Sequence, residues 1–345
     1  MLGKKATVKK LLKEGKLREL EAFLKKASKK DPSFYTHLVH LYLETERLQE
    51  ASEVAERLSV VKPSPYSQYL HFLCLSRLSP DRLLEEHKGL SRLLQEKNLM
   101  AEYMFYSGVI NLLMGNGDVA LRRFREAGKR GNTLAHWGAA ELLKERDPQI
   151  ALREAKKAVR MAGGFPPILK LLAELESNRW VKMLYLFRYL NAVPIDSEAS
   201  YELGMHLLEA SETPVVGGFL KEKAVQLLTV KALLDSPKAE NWWIYRVIAL
   251  HLASKGRLQQ ATKWTLIEQQ IIYNIIYSLQ QAVKHSFANN TEEVTDMVYS
   301  LLNVLVDNEY ITEEEFNKAF SERRETRLLE KMLQLSEDED NEGEG

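Results

Sequence analysis

The chain contains few of the residues that interrupt helices or cross-link a fold. Among its 345 residues there are 17 glycines, 10 prolines and one cysteine. Such low glycine and proline contents favour long helices over a β fold rich in turns. The single Cys74 excludes an intramolecular disulfide and a metal site built only of cysteines. Because it stands between Leu73 and Leu75, we expect its thiol to be buried as a small hydrophobic group.

Long apolar runs are also missing. No stretch approaches the roughly 18 uncharged apolar residues that a membrane-spanning helix needs. The lysine-rich residues 1–30 lead into no continuous apolar segment, so the sequence predicts no signal peptide. We therefore expect no transmembrane span and a cytoplasmic location.

The formal net charge is zero, but the two ends of the chain carry opposite charge. Residues 1–30 hold eleven lysines and arginines against three glutamates and predict two short, basic amphipathic helices. Residues 336–345 are strongly acidic and are predicted to be disordered. This tail keeps the chain in solution or, alternatively, docks to a basic partner or folds back on the basic N-terminus.

Five stretches share one internal spacing, in which a small or compact residue precedes an alanine by twelve positions. The fifth stretch fits if an eight-residue insertion is allowed. The pairs are Val39 and Ala51, Gly108 and Ala120, Ala139 and Ala151, Ala249 and Ala261, and Gly204 and Ala224. Because small side chains let two helices approach closely, the spacing predicts repeated helix pairs.

Turn signals separate the helices of these pairs. Gly15, the run from Gly115 to Asp118 and the run from Lys255 to Arg257 each predict a turn. The dipeptide Asp147-Pro148 and the run from Phe165 to Pro167 each predict the start of a helix.

The first helix pair resembles a tetratricopeptide repeat. Members of that family have about 34 residues per unit, with small residues where the two helices touch and a proline after the second helix. Asp31 and Pro32 precede the unit as a helix start. The positions that match the family pattern are Tyr35, Leu38, Val39, Tyr42, Ala51 and Pro63.

The resemblance covers roughly residues 31–270 and implies an all-α fold, a right-handed solenoid of helical hairpins. One unit, at residues 66–98, is degenerate because Glu85 occupies the alanine site. We interpret residues 271–335 as a divergent C-terminal helical cap, since a solenoid must cover its last apolar face. A capping box at Thr312 predicts one helix start in that cap.

Motifs for catalysis are not found. The sequence has no phosphate-binding glycine loop, no zinc-protease motif and no nucleophile elbow. No carboxylate stands alone in an apolar context that would raise its pKa. His37 and His40 lie three apart on one helix without a further ligand at matching distance, so we expect them on a helix surface. We predict no catalytic residue, no cofactor and no metal; an enzyme with an unrecognised site is the second alternative.

The resemblance implies protein–protein recognition by an adaptor or assembly scaffold, with a partner helix or peptide in a concave groove formed by the first helices. The candidate residues for this groove are Tyr35, His40, Tyr69, Met104, Asn111, Trp242 and Tyr245. Trp180, Tyr185 and Phe187 form an aromatic group with Trp242, Trp243 and Tyr245, which either lines a groove and anchors a partner or, as the favoured interpretation, packs in the core. Some members hold a carboxylate in a clamp, but Thr36 and His40 are not clamp residue types. The oligomeric state stays open.

Two basic stretches lie within residues 122–160. They form a predicted basic stripe on second helices, made by Arg122, Arg123, Lys156 and Lys157. Solvated charge on an outer face is the simpler interpretation of this stripe. The first alternative function is binding of RNA or another polyanion. No aromatic residues interleave with these bases as they would on a base-stacking surface.

Overall fold

The computed structural model describes residues 2–162, 165–211, 217–234 and 242–289, and the statements below concern these residues. They form sixteen α-helices and no strand, which confirms the all-α prediction. The first eight helices are α1 (Leu2–Lys13), α2 (Leu17–Ser28), α3 (Ser33–Glu44), α4 (Leu48–Val61), α5 (Pro65–Leu78), α6 (Pro80–Glu96), α7 (Met100–Leu113) and α8 (Gly117–Lys129). The others are α9 (Ala135–Leu143), α10 (Pro148–Met161), α11 (Pro166–Leu175), α12 (Arg179–Ala192), α13 (Ser197–Ala210), α14 (Gly217–Leu234), α15 (Trp242–Ser254) and α16 (Leu258–Asn289).

The chain divides into two units, Met1–Glu268 and Gln269–Gly345. The first unit contains α1 to α15 and the beginning of α16, and it is the subject of the following paragraphs. Of the second unit, only the continuation of α16 is described. The predicted cap beyond residue 289, including the capping box at Thr312, and the predicted acidic tail lie outside the described residues.

Consecutive helices of the first unit pack as antiparallel pairs, as the twelve-residue spacing predicted, although on α9 the close contact is made by Gly138 and the predicted Ala139 is half-buried. Val39 and Ala51 are fully buried where α3 meets α4, and Ala120 and Ala151 are fully buried on α8 and α10. A side-chain carbon added to Gly204 of α13 would lie 3.2 Å from Leu228 of α14. These contacts are those of tetratricopeptide-like helix pairs.

The predicted turns and helix starts are also observed. Gly15 and Gly115 have positive φ angles of 71° and 79° at the turns that precede α2 and α8. Only glycine adopts this region readily, because a side chain would clash with the backbone. Asp147 caps α10 by accepting a hydrogen bond from the backbone N–H of Ile150 at 3.0 Å.

The degenerate pair α5/α6 packs differently from the others. Glu85 is exposed, and α6 buries only Leu83 and Leu94. Two other leucines of this helix, Leu84 and Leu93, are exposed. Cys74 of α5 is completely buried, as expected, and burial raises the pKa of its thiol to about 12.

The ring of Phe124 lies between two glycines on neighbouring helices. A side-chain carbon built on Gly108 of α7 would be 2.7 Å from the ring, and one built on Gly138 of α9 would be closer still. Both distances are shorter than van der Waals contact, so α7, α8 and α9 meet only because these two side chains are absent. The ring cannot move away from one glycine without striking the other helix.

We expect Gly138→Ala to lower the free energy of unfolding by at least about 2 kcal/mol, because the added methyl overpacks the site. Gly89→Ala is the control, since Gly89 lies in the middle of α6 with nothing within 4 Å of the new carbon. That change removes a flexible residue from a helix and is expected to stabilise by about 0.5–1 kcal/mol. Urea unfolding measures both, and equal effects would contradict the close packing around Phe124.

The N-terminal helices belong to the same packed unit as the repeats. Val8 and Leu12 of α1 share a core with Val230 and Leu234 of α14. A further long-range contact joins α3 to α13, where the carboxylate of Glu44 accepts a hydrogen bond from the backbone N–H of residue 197 at 3.1 Å. Late helices of this unit therefore contact its first helices.

A charged network attaches α2 to the first repeat. The guanidinium of Arg47, at the start of α4, donates to both carboxylate oxygens of Glu21 at 2.7 and 3.1 Å. The hydroxyl of Tyr42 donates to Glu21 at 3.1 Å, and Lys25 forms an ion pair with it at 2.7 Å. The hydrogen bonds from Arg47 are the main reason that the pKa of Glu21 falls to about 2.

Because the pKa of Glu21 is lowered in the folded state, we expect the protein to lose stability as the pH falls. The folded-state pKa of Glu21 lies below its ordinary value, so its contribution is complete above about pH 4.5 and is lost as the pH falls toward 2. Between pH 6 and pH 3 we expect the wild type to lose about 2 kcal/mol more than Glu21→Gln, measured by urea unfolding. Glu53→Gln, at an exposed site on α4, should lose as much unfolding free energy between pH 6 and pH 3 as the wild type. Parallel pH curves for wild type and Glu21→Gln would contradict the role of Glu21.

Candidate binding surface

The predicted partner-binding residues fall into two groups by exposure. Tyr35, His40 and Tyr245 are almost completely covered by the chain itself. The half-buried residues are Tyr69, Met104, Asn111 and Trp242. Asn111 donates to the carbonyl of its own helix at Ser107, and Met104 contacts Arg123. The structure therefore does not gather the seven residues on one open surface.

An aromatic cluster joins the first helices of several repeats. The imidazole Nε2 of His40 on α3 is hydrogen-bonded to the hydroxyl of Tyr66 on α5 at 2.7 Å. The ring of Phe165, just before α11, packs against three other rings. Its centroid lies 5.8 Å from that of Tyr66, 5.6 Å from that of Tyr69 and 4.9 Å from that of Trp137 on α9. These side chains occupy the space between α3, α5, α9 and α11 where the sequence predicted a groove.

The prediction that His37 and His40 lie on a helix surface is wrong, since both are buried. Helix α3 is covered on nearly every side, because α2, α4 and α5 pack against it. Burial disfavours the charged imidazole and lowers the pKa of His40 to about 4. In the described residues, no group of three or more His, Cys, Asp or Glu side chains is arranged to hold a metal ion.

Beside this aromatic cluster lies a polar cluster centred on Asp196, the residue before α13. Its Oδ2 accepts hydrogen bonds from the hydroxyl of Tyr189 at 2.7 Å and from the Nζ of Lys170 at 3.1 Å. Its Oδ1 caps α13 by accepting from the backbone N–H of Ala199 at 2.8 Å. Burial opposes ionisation, but Lys170 and these hydrogen bonds hold the pKa of Asp196 below its ordinary value.

The expectation that no carboxylate lies in a context that raises its pKa is wrong for two glutamates. Burial raises the pKa of both Glu44 and Glu141. Glu44 is covered by the N-terminus of α13, which lies 153 positions further along the chain. Local sequence around Glu44 contains no sign of this contact. Neither carboxylate is without a polar partner, because Glu44 accepts from Ser197 and Glu141 pairs with Lys144 at 2.7 Å.

Removing the central carboxylate tests the polar cluster. We expect Asp196→Ala to lower the free energy of unfolding by about 3 kcal/mol or more, because it leaves Tyr189 without its acceptor, removes the buried one of the two carboxylates that bind Lys170, and uncaps α13. Glu198→Ala is the control: Glu198 pairs with the same Lys170 at 3.2 Å but its side chain is 78% exposed. Its removal should change stability by less than about 1 kcal/mol. If chemical unfolding shows that the two variants lose similar unfolding free energy, the stabilising role of Asp196 is refuted.

The predicted basic stripe is partly neutralised by the chain. Arg123 forms an ion pair with Glu126 at 3.6 Å, and Lys156 forms one with Glu176 at 3.1 Å. Arg122 on α8 and Lys157 on α10 are exposed. The use of this stripe by a polyanion stays a prediction.

An apolar groove of about 530 Å³ lies where α1 meets α12, α13 and α14. Its apolar lining side chains are Leu12, Phe187, Leu190, Pro194, Leu203, Leu207, Phe219, Leu220, Leu227 and Val230. Two of them are largely exposed: Phe187 on α12 is 58% exposed and Phe219 on α14 is 65% exposed. Lys9, Lys13 and Lys223 also line it. A recess of this size and composition is typical of a binding site.

Helix α12 carries the sequence signal that could have indicated this groove. Met183, Leu186 and Leu190 form its buried face, whereas Trp180, Leu184 and Phe187 form an exposed apolar stripe at helical spacing. The core interpretation of Trp180 and Phe187 is therefore wrong, although it is right for Tyr245, which is buried and contacts the ring of Trp264 at 5.8 Å. A helix with apolar residues on both faces has more apolar surface than one core can cover.

Comparisons with known proteins return helical-repeat proteins of low similarity. No family model and no curated protein matches this chain. A crystal structure of MamA protein is 16% identical with a TM-score of 0.35, over 50% of this chain and 91% of that one. The Cut9–Hcn1 hetero-tetramer of the APC/C is 14% identical with a TM-score of 0.43, over 84% of this chain and 56% of that one.

A tetratricopeptide repeat protein from Parabacteroides merdae is 16% identical with a TM-score of 0.36, over 70% of this chain and 96% of that one. Of the described helices, none combines the length and apolar character needed to cross a membrane.

Proposed function

We propose that this chain is a non-catalytic scaffold that binds a helix or peptide of a partner protein in the apolar groove formed by α1, α12, α13 and α14. The observation that carries this proposal is that two aromatic rings, those of Phe187 and Phe219, are largely exposed in a recess lined mainly by apolar side chains. Aromatic side chains in such positions are typical anchors of protein interfaces.

Packing around the groove supports a permanent recess. Its floor is formed by Leu190, Leu203 and Val230, which are each less than 8% exposed. Helices α13 and α14 pack closely along their length, and α1 contacts α14 beside them. A surface held by three packed helices needs little reordering when a partner binds, so less of the binding free energy is lost.

Local polar contacts fix α1 at the rim of the groove. The Nζ of Lys9 donates to the side-chain amide oxygen of Asn191 on α12 at 2.8 Å. Lys13 pairs with Glu222 on α14 at 3.6 Å. The N-terminal helix thus forms one wall of the proposed site, although the sequence placed the binding groove on the first helices of the repeats.

Affinity capture with a groove variant tests the proposal. The full chain is immobilised, and proteins retained from an extract of its native cell are quantified by mass spectrometry. We expect Phe187→Glu/Phe219→Glu to lose the specific partners of the wild type by at least about tenfold, because burying two carboxylates against the partner is unfavourable. Both rings are exposed, so the folded state should keep its thermal stability.

Leu250→Glu is the matched control for this capture, since Leu250 on α15 is 62% exposed and does not line the groove. It should retain the wild-type partners. Equal capture by the wild type and the groove variant would refute the proposal. If the wild type and the groove variant instead retain RNA from the extract and Arg122→Glu/Lys157→Glu loses it, the polyanion alternative is supported.

A further inference from the structure

We infer that the partner segment is an α-helix with acidic residues on both sides of its apolar face. This inference rests on the proposed function and specifies the chemistry of the bound segment. Two observations carry it: the scarcity of backbone hydrogen-bonding partners in the groove and the excess of positive charge around it.

The lining of the groove favours a helix over an extended peptide. Among the residues that the structure describes, the groove lining has two polar side chains besides its lysines, Asn191 and Gln226, and no strand that could offer a sheet edge. Asn191 already accepts from Lys9, and Gln226 is hydrogen-bonded to Glu222 at 3.1 Å. An extended segment would bury backbone N–H and C=O groups without partners, whereas a helix satisfies its own.

Positive charge surrounds the groove on two of its helices. Among the described side chains, α1 contributes Lys9, Lys10 and Lys13 and α12 contributes Arg179, Lys182 and Arg188, and neither helix has an acidic residue. Two of the α12 bases, Arg179 and Lys182, pair with glutamates of α13. Lys13 and Lys223 are exposed at the rim, where Lys13 pairs with Glu222 of α14 at 3.6 Å. Lys223 bonds to the uncharged amide of Gln226 at 3.5 Å and lies 5.7 Å from the ring of Phe219, so its charge is next to the proposed anchor.

The acidic residues of the neighbouring helix α13 cancel only part of this charge, because two of them pair with α12 and one with α11. Helix α13 carries three glutamates, and each forms an ion pair with a base on α11 or α12. Glu198 pairs with Lys170 at 3.2 Å, Glu202 with Lys182 at 3.0 Å and Glu209 with Arg179 at 3.0 Å. A partner helix with flanking carboxylates would therefore meet the lysines of α1 and α14, and an equally apolar basic helix would be repelled.

Selection of displayed peptides on the full chain tests the inference. A library of helical peptides has leucine or phenylalanine at one apolar face and positions beside it randomised equally among Glu, Lys, Gln and Ser. We expect peptides selected on the wild type to contain Glu at these positions about tenfold more often than Lys. On the charge-reversed variant Lys13→Glu/Lys223→Glu, the preference should turn toward Lys.

Lys10→Glu/Lys221→Glu is the matched control. It makes the same change in net charge on the same two helices, at exposed residues that do not line the groove. It should keep the preference for Glu. The affinity of a selected acidic peptide, measured by fluorescence anisotropy, should fall as the salt concentration rises and should be lost in Phe187→Glu/Phe219→Glu.

The outcomes separate this inference from the proposed function. Peptides that depend on Phe187 and Phe219 but show no preference for Glu would overturn the inference and leave the groove as a docking site. If no selected peptide depends on these rings, both are overturned. Sedimentation that shows a dimer of the wild type, lost in the groove variant, would assign the groove to a second copy and also overturn the inference.

Discussion

The described structure depends on helices that approach one another more closely than ordinary side chains allow. The ring of Phe124 on α8 fills the space left by Gly108 on α7 and Gly138 on α9, so three consecutive helices share one contact. Fully buried alanines have the same role in the pairs α3/α4 and α9/α10. Close approach also brings the first helices of different repeats near one another, and the aromatic cluster around Phe165 occupies the space between them.

The buried polar cluster and the apolar groove both form because late helices pack against early ones: α13 contacts α3, and α14 contacts α1. The N-terminus of α13 covers Glu44 and brings Asp196 near His40, which makes a buried polar cluster. Helix α1 packs on α14 and makes one wall of the apolar groove. In the first site the buried carboxylate of Asp196 already accepts hydrogen bonds from Tyr189, Lys170 and the backbone of Ala199. In the second, two phenylalanines are left exposed, and this difference is why we place binding at the groove and not at the cluster.

Charge complementarity gives the groove a direction of specificity that its apolar lining alone does not provide. An apolar recess binds most amphipathic segments with little discrimination, because hydrophobic contact is not directional. The lysines of α1 and α14 flank the recess, whereas the glutamates of α13 are held by bases of α11 and α12. This distribution is the basis for inferring an acidic helix as the bound segment.

The sequence by itself determined the helical class, several turns and helix starts, and most of the small residues at the helix contacts, because these depend on local periodicity and on residue size. It also marked α12 through an apolar stripe on each of its faces, although that signal was interpreted as core. Only the tertiary structure decided that α1 contacts α14, that His40 and Glu44 are buried, and that the apolar recess lies beside Phe187 and Phe219. These features join residues more than 150 positions apart, and no local pattern encodes such a contact. The side chains involved acquire their burial, charge environment and exposure only when distant helices meet.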